Sequence, residues 1–172
     1  MKLFKSLILL FIVFITVSCS TNDDDSVTNP NADDGEMVAS VNSTNFASSD
    51  ATTTAAVISG VLNLAGVNSN GDTIAISVNN FDSEGTFDLS ESSTAARAIY
   101  LPSGDTTFYL SINEGGEGSI TVTDLNAGDN LISGNFSFIG VRENTSDPDN
   151  PFMETIEITA GVFTNVTITG LE

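Results

Sequence analysis

Residues 72–78 read DTIAISV. In an extended chain Ile74, Ile76 and Val78 fall on one face and Thr73, Ala75 and Ser77 on the other, because successive side chains of a β-strand point to opposite sides. The same alternation recurs through the chain. Ile120 and Val122 alternate in GSITVT, Ile156 and Ile158 in ETIEIT, and Ile132, Phe136 and Phe138 in LISGNFSF, with Ser133, Asn135 and Ser137 opposite. In TTFYLSI the reading places Phe108, Leu110 and Ile112 inward and turns Tyr109 and Ser111 outward, with Tyr109 available as a surface contact. Short runs of period two, rich in Thr, Ile, Val and Phe, predict half-buried antiparallel strands. Turn sequences separate them: Ser69-Asn70-Gly71-Asp72, Ser103-Gly104-Asp105, Glu114-Gly115-Gly116 and Asn126-Ala127-Gly128-Asp129-Asn130. No segment carries a sustained helical period with caps. The expectation is an all-β domain, an antiparallel β-sandwich of about nine or ten strands, with a small β-barrel as the alternative.

Two parts of this pattern resemble each other. Residues 58–67 (ISGVLNLAGV) match 132–141 (ISGNFSFIGV), and residues 72–81 (DTIAISVNNF) match 154–163 (ETIEITAGVF), in the same order. Convergence of half-wet strands on a few residue types accounts for the match, and so do two related hairpins, one in each sheet. The two differ in their connections. The first is the short turn NSNG; the second is RENTSDPDNPFM, residues 142–153, which begins with Arg142 and holds two of the four prolines. Binding residues tend to sit on loops carried by a rigid scaffold. Arg142, Asp147 and Asp149 are therefore the binding-loop candidates. Asp147, Asp149 and Asn150 also offer oxygen ligands of the kind calcium takes, without the length, glycine and closing glutamate of an EF-hand loop.

Outward from the domain, the chain begins MKLFKSLILLFIVFITVSC. Lys2 and Lys5, an apolar run from Leu7 to Ile15, and then Thr16, Val17 and Ser18 have the order of a secretory signal peptide. The run is shorter than the about 20 residues a membrane span needs. Cys19, the single cysteine, follows Ser18 where lipoprotein signals place the cysteine that receives diacylglycerol. Thr16 stands where Leu is more usual in such a box. A lone thiol in an oxidising envelope is otherwise hard to account for, and several acyl chains on one residue make a stable anchor. Residues 1–18 are expected to be the signal, 19–36 a lipidated, disordered acidic tether lacking the apolar residues for a core, and 37–172 the β-domain.

Composition narrows the chemistry. The chain has 23 acidic residues against four basic ones, a net charge of −19. Loss of both lysines with the signal takes this to −21, with Arg97 and Arg142 the remaining cations. Such a surface repels phosphate backbones, so nucleic acid is not an expected partner, and the membrane is reached through the lipid alone. With no His, no Trp and one Cys, a His-based triad, a disulfide framework and the usual zinc ligand sets are excluded. No cofactor is expected beyond calcium at the 147–150 cluster. A non-catalytic binding or structural role follows, with a glycan or protein as ligand. The alternatives are an acid-only glycoside hydrolase, which needs two carboxylates and nothing else, and a calcium-dependent carbohydrate-binding module.

The VSC motif followed by STNDDDS resembles the start of Bacteroidota lipoproteins, in which an acidic stretch after the lipidated cysteine resembles a surface-export signal. Asp23, Asp24 and Asp25 match that pattern in kind and position. The domain resembles a family of uncharacterised small lipoprotein domains from the same bacteria through MVASVNSTNF, GSITVTDLNAGDNLISGNFSF and ITAGVFTNV. One departure is Ser43, where such openings often carry Gly after Asn. The resemblance implies an all-β fold and an outer-membrane lipoprotein at the cell surface, the periplasmic face being the alternative. It implies no activity, and no functional residues carry over. It also implies O-glycosylation at Asp-Ser/Thr-aliphatic sites, of which Ser26, in the tether, is the candidate.

Overall fold

The computed structural model describes residues 31–144 and 152–171. Ten strands run in chain order: β1 (Glu36–Val41), β2 (Thr44–Ile58), β3 (Val61–Asn68), β4 (Thr73–Asn79), β5 (Gly85–Asp88), β6 (Ala96–Leu101), β7 (Tyr109–Leu110), β8 (Glu117–Asn126), β9 (Leu131–Asn144) and β10 (Phe152–Thr169). No helix occurs among the described residues. The all-β class and the strand count are as expected from the alternation.

All ten strands belong to one mixed sheet of order β1-β10-β2-β3-β4-β6-β7-β9-β8-β5, with β1–β2 and β10–β9 paired as well. Through β10 the ladder doubles back on itself, and both halves face one core. Phe46, Leu62, Leu64, Ile74, Ile76, Ile120, Ile132, Phe136, Ile158 and Phe163 are among its buried side chains. Sandwich-like packing is thus reached without a break into two sheets. One pairing departs from the antiparallel expectation: Ile168 and Thr169 of β10 lie parallel to Ala55 and Ala56 of β2. The cause is the length of β1. It runs antiparallel to β10 from Glu36 to Val41 and antiparallel to β2 from Val38 to Val41. The two flanking strands are therefore parallel to each other, and they meet directly beyond the start of β1 at Glu36.

The 18 residues of β10 far exceed the usual five or six. Two register shifts, between Ile158 and Gly161 and between Phe163 and Val166, bend it around the core, as β-bulges do. Each places a non-glycine residue in the left-handed region, Ala160 at φ 50° and Asn165 at φ 45°. The β1–β2 turn does the same with Asn42 at φ 45° and Ser43 at φ 65°, the two-residue geometry that matches strand twist. The residue that departs from the resembled family thus occupies a conformation glycine adopts without steric cost.

The internal resemblance has a structural counterpart. Val67↔Thr73, Gly66↔Ile74, Ala65↔Ala75, Leu64↔Ile76 and Asn63↔Ser77 pair in the β3–β4 hairpin. The aligned residues Val141↔Thr155, Gly140↔Ile156, Ile139↔Glu157, Phe138↔Ile158 and, after one shift, Phe136↔Gly161 pair in β9–β10. Four successive pairs keep the same register. The first three matched residues do not correspond. Ile58-Ser59-Gly60 ends β2 and enters a turn, whereas Ile132-Ser133-Gly134 lies inside β9.

The start of the domain needs a correction. Residues 33–36 fall in the expected tether, yet Gly35 donates its N–H to the Thr164 carbonyl at 2.7 Å. Asn165 Nδ2 donates to Asp34 Oδ1 at 2.7 Å, and β1 opens at Glu36. The acidic segment is apolar-poor by sequence, but its last residues are held by the Thr164 carbonyl and the Asn165 side chain of β10, which composition does not reveal.

Candidate functional site

The inward phase of β10 runs through Ile158, Ile156 and then Glu154, and Arg142 of β9 is the direct partner of Glu154. The core stripe therefore ends, at one end of the molecule, in a charge pair. Burying charge is costly unless it is paired and hydrogen-bonded, and here it is both. Arg142 Nε donates to Glu154 Oε2 at 2.8 Å and Nη1 to Asp105 Oδ2 at 2.5 Å. Nη1 also reaches Thr107 Oγ1 at 3.3 Å. Its guanidinium carbon stands 4.2 Å from the centroid of the Tyr109 ring, a cation–π distance. The Tyr109 hydroxyl donates to Glu154 Oε2 at 3.2 Å, and Asn144 Nδ2 donates to Glu154 Oε1. Tyr100 packs beside Tyr109 with ring centroids 6.2 Å apart. The cluster fastens the β6–β7 loop to the β9–β10 hairpin and closes this end of the core.

Every ionisation in it is locked. The Arg142 hydrogen bond holds the Asp105 carboxyl below the usual range, and it does the same to Glu154, with Asn144 adding to the effect. Hydrogen bonding to Asp105, opposed by burial and aided by Glu154, raises Arg142 above its ordinary value. Burial pushes up the Tyr100 and Tyr109 hydroxyls. At neutral pH the carboxylates are charged, the guanidinium is protonated and both phenols are neutral.

Two expectations are overturned here. Arg142 was expected at the head of a loop; β9 extends to Asn144 and β10 starts at Phe152, so Arg142 is a strand residue saturated by two carboxylates. The phase of TTFYLSI is inverted. Tyr109 is 8% exposed and Ser111 fully buried, while Phe108 is 48% exposed. Gly140 makes the room: a Cβ there would stand 2.8 Å from the Tyr109 Cβ. Tyr109 goes inward because its ring has that space and its hydroxyl has Glu154. Ser111 follows because its Oγ accepts the N–H of Ala98 at 2.9 Å. Phe152 and Met153, about half exposed, follow the same loop and add apolar surface to this end.

Cys19, Asp23, Asp24, Asp25, Ser26, Asp147, Asp149 and Asn150 lie outside the described residues. Among the described residues no group of three or more Cys, Asp or Glu side chains is placed to hold a metal ion. The alternation did contain a sign of the cluster. If Ile156 and Ile158 face inward, so does Glu154, and an inward acid requires a partner. That the partners are Arg142, Asp105 and Tyr109 was not readable.

Comparison with curated proteins finds no match, and comparison with solved structures finds none either. A family model covers residues 33–167, from the turn before β1 to the end of β10. The chain belongs to the DUF6252 family, a domain of unknown function.

Proposed function

We propose that this chain is a non-catalytic lipoprotein of the outer membrane, held by acylated Cys19 and displayed at the cell surface, whose β-domain binds a ligand or partner. The position of Cys19 carries the reading. It directly follows an export signal and stands 16 residues before Gly35, among the described residues the first backbone donor tied to β10. At about 3.3 Å per residue that segment reaches about 50 Å, enough to hold the domain clear of a bilayer. Asp23, Asp24 and Asp25 begin it and direct export outward.

Support for a binding rather than a hydrolytic role comes from the carboxylates. A glycosidase acid needs a raised pKa. Among the described residues the carboxyls displaced from their ordinary values, Asp88, Asp105 and Glu154, are all displaced downward, by Ser90 or by Arg142. Support for partner contact comes from Phe108, Phe152 and Met153, three of the four large apolar side chains left exposed among the described residues.

Protease shaving of intact cells tests the reading, with a periplasmic protein as leakage control. The wild type should be cleaved and an Asp23-Asp24-Asp25→Ala variant protected. Protection of both until lysis would place the domain on the periplasmic side and reduce the acidic run to a tether.

A further inference from the structure

Of the two arginines that follow Cys19, Arg142 is saturated and Arg97 is not. Arg97 points outward from β6, opposite Ser77 of β4, which in turn lies opposite Asn63 of β3. Among the described residues it has no ion pair, although the chain carries 23 acidic residues. It sits in a shallow groove of about 310 Å³ on the outer face of β3, β4 and β6. That volume is at the lower end of the roughly 300–1,000 Å³ of small-molecule sites.

The lining is chemically mixed. Asn63, Ser77, Asn79, Ser93 and Thr94 supply amides and hydroxyls, and Ile112 and Val61 supply half-buried apolar surface. Part of the polar set is already oriented. Ser77 Oγ donates to Asn63 Oδ1 at 3.1 Å, Asn63 Nδ2 to the Val61 carbonyl at 3.1 Å, and Asn79 Nδ2 to the Thr94 carbonyl at 2.9 Å. These bonds fix the side chains while leaving hydroxyl and amide capacity for a ligand.

We propose that this groove binds an acidic saccharide, with the Arg97 guanidinium forked onto the carboxylate of a uronic acid residue and the Asn and Ser groups taking its hydroxyls. Three features lead to that class. A guanidinium pairs with a planar carboxylate through two parallel hydrogen bonds. The surrounding groups are neutral donors and acceptors, which suit a polyol. The strongly negative remainder of the domain repels polyanions, so the groove favours a short ligand with few charges. The proposal deepens the ligand-binding part of the function above and is independent of anchoring, since the groove is lined only by residues of the β-domain, from β3, β4, β6 and the connections before β6 and after β7.

The test is calorimetric titration of the full chain, in detergent, with mono- and disaccharides of galacturonic, glucuronic and mannuronic acid, each beside its neutral sugar. One uronate should bind with at least tenfold preference over its neutral counterpart, and Arg97→Gln should lower that affinity at least tenfold. Asn63→Ala, which leaves the cation in place, should weaken binding of the uronate but not of acetate. Absence of binding by every uronate, equal binding by Arg97→Gln, or equal affinity for acetate or a free peptide carboxylate would each overturn the assignment. Because surface localisation is read separately by shaving, a failed titration with a cleaved domain refutes the groove and leaves the anchoring intact.

Discussion

Gly134 lies near the start of β9, between Val122 of β8 and Phe163 of β10. Its missing side chain is where the fully buried Phe163 ring rests. A Cβ added there would stand 2.2 Å from the Thr121 carbonyl oxygen and 2.5 Å from Phe163 Cζ, against ordinary contacts of about 3.5–4.0 Å. The ring cannot swing away without vacating the core, and the carbonyl is part of the β8 backbone. Overpacking of this kind costs about 1–3 kcal/mol. Restriction of the unfolded chain returns about 0.4–1 kcal/mol. Gly134→Ala should therefore destabilise by about 1–2 kcal/mol, which at a urea slope of about 2 kcal/mol/M lowers the midpoint by about 0.5–1 M. Gly128→Ala is the control. Its nearest neighbour would be Asn126 Oδ1 at 3.4 Å, so its midpoint should stay level or rise. Combining Gly134→Ala with Phe163→Leu removes the ring clash but not the carbonyl clash, so the double variant should be less destabilised than the sum of the two. Far-ultraviolet dichroism reads all four titrations. A Gly134→Ala midpoint equal to wild type would refute the packing argument.

Three further outcomes follow from local geometry. Ala160→Gly and Ser43→Gly each relieve a left-handed residue, worth about 1–2 kcal/mol, at an entropic cost of about 0.5–1 kcal/mol; both urea midpoints should rise slightly. Ser48→Ala should cost about 1–3 kcal/mol, because buried Ser48 Oγ accepts the Met37 N–H at 3.0 Å and bonds Thr53 Oγ1 at 2.6 Å; an unchanged thermal midpoint would contradict this. The Arg142 cluster has a pH signature. Asp105 and Glu154 have depressed folded pKa values, so their contribution is present above the ordinary carboxylate range, near pH 4, and is lost as pH falls through the folded values. Arg142→Met should therefore be less stable than wild type at pH 7, with the gap closing in acid, as chemical denaturation at pH 7 and pH 2.5 would read.

The strands that one hydrophobic face defines were legible because local alternation determines that face. Ile74, Ile76 and Val78, like Ile132, Phe136 and Phe138, are buried as the pattern requires. Where a residue's direction depends on a distant partner, the pattern misled. Tyr109 turns inward because Gly140, 31 positions away, leaves room for it. Asp105 reaches Arg142 across 37 positions. The parallel contact of β10 with β2 depends on where β1 begins, which no local window contains. Glu154 was the exception among the site residues, since its phase relative to Ile156 already marked it as an inward-facing acid.

We propose that a lipid on Cys19 holds this β-domain at an envelope membrane, and the intact mass of the protein extracted from cell envelopes reads this directly. The predicted mass is that of residues 19–172 plus a diacylglyceryl thioether and an amide-linked acyl chain, with Cys19→Ser abolishing both the added mass and membrane recovery. A chain with unmodified Cys19, or one beginning elsewhere, would contradict the claim.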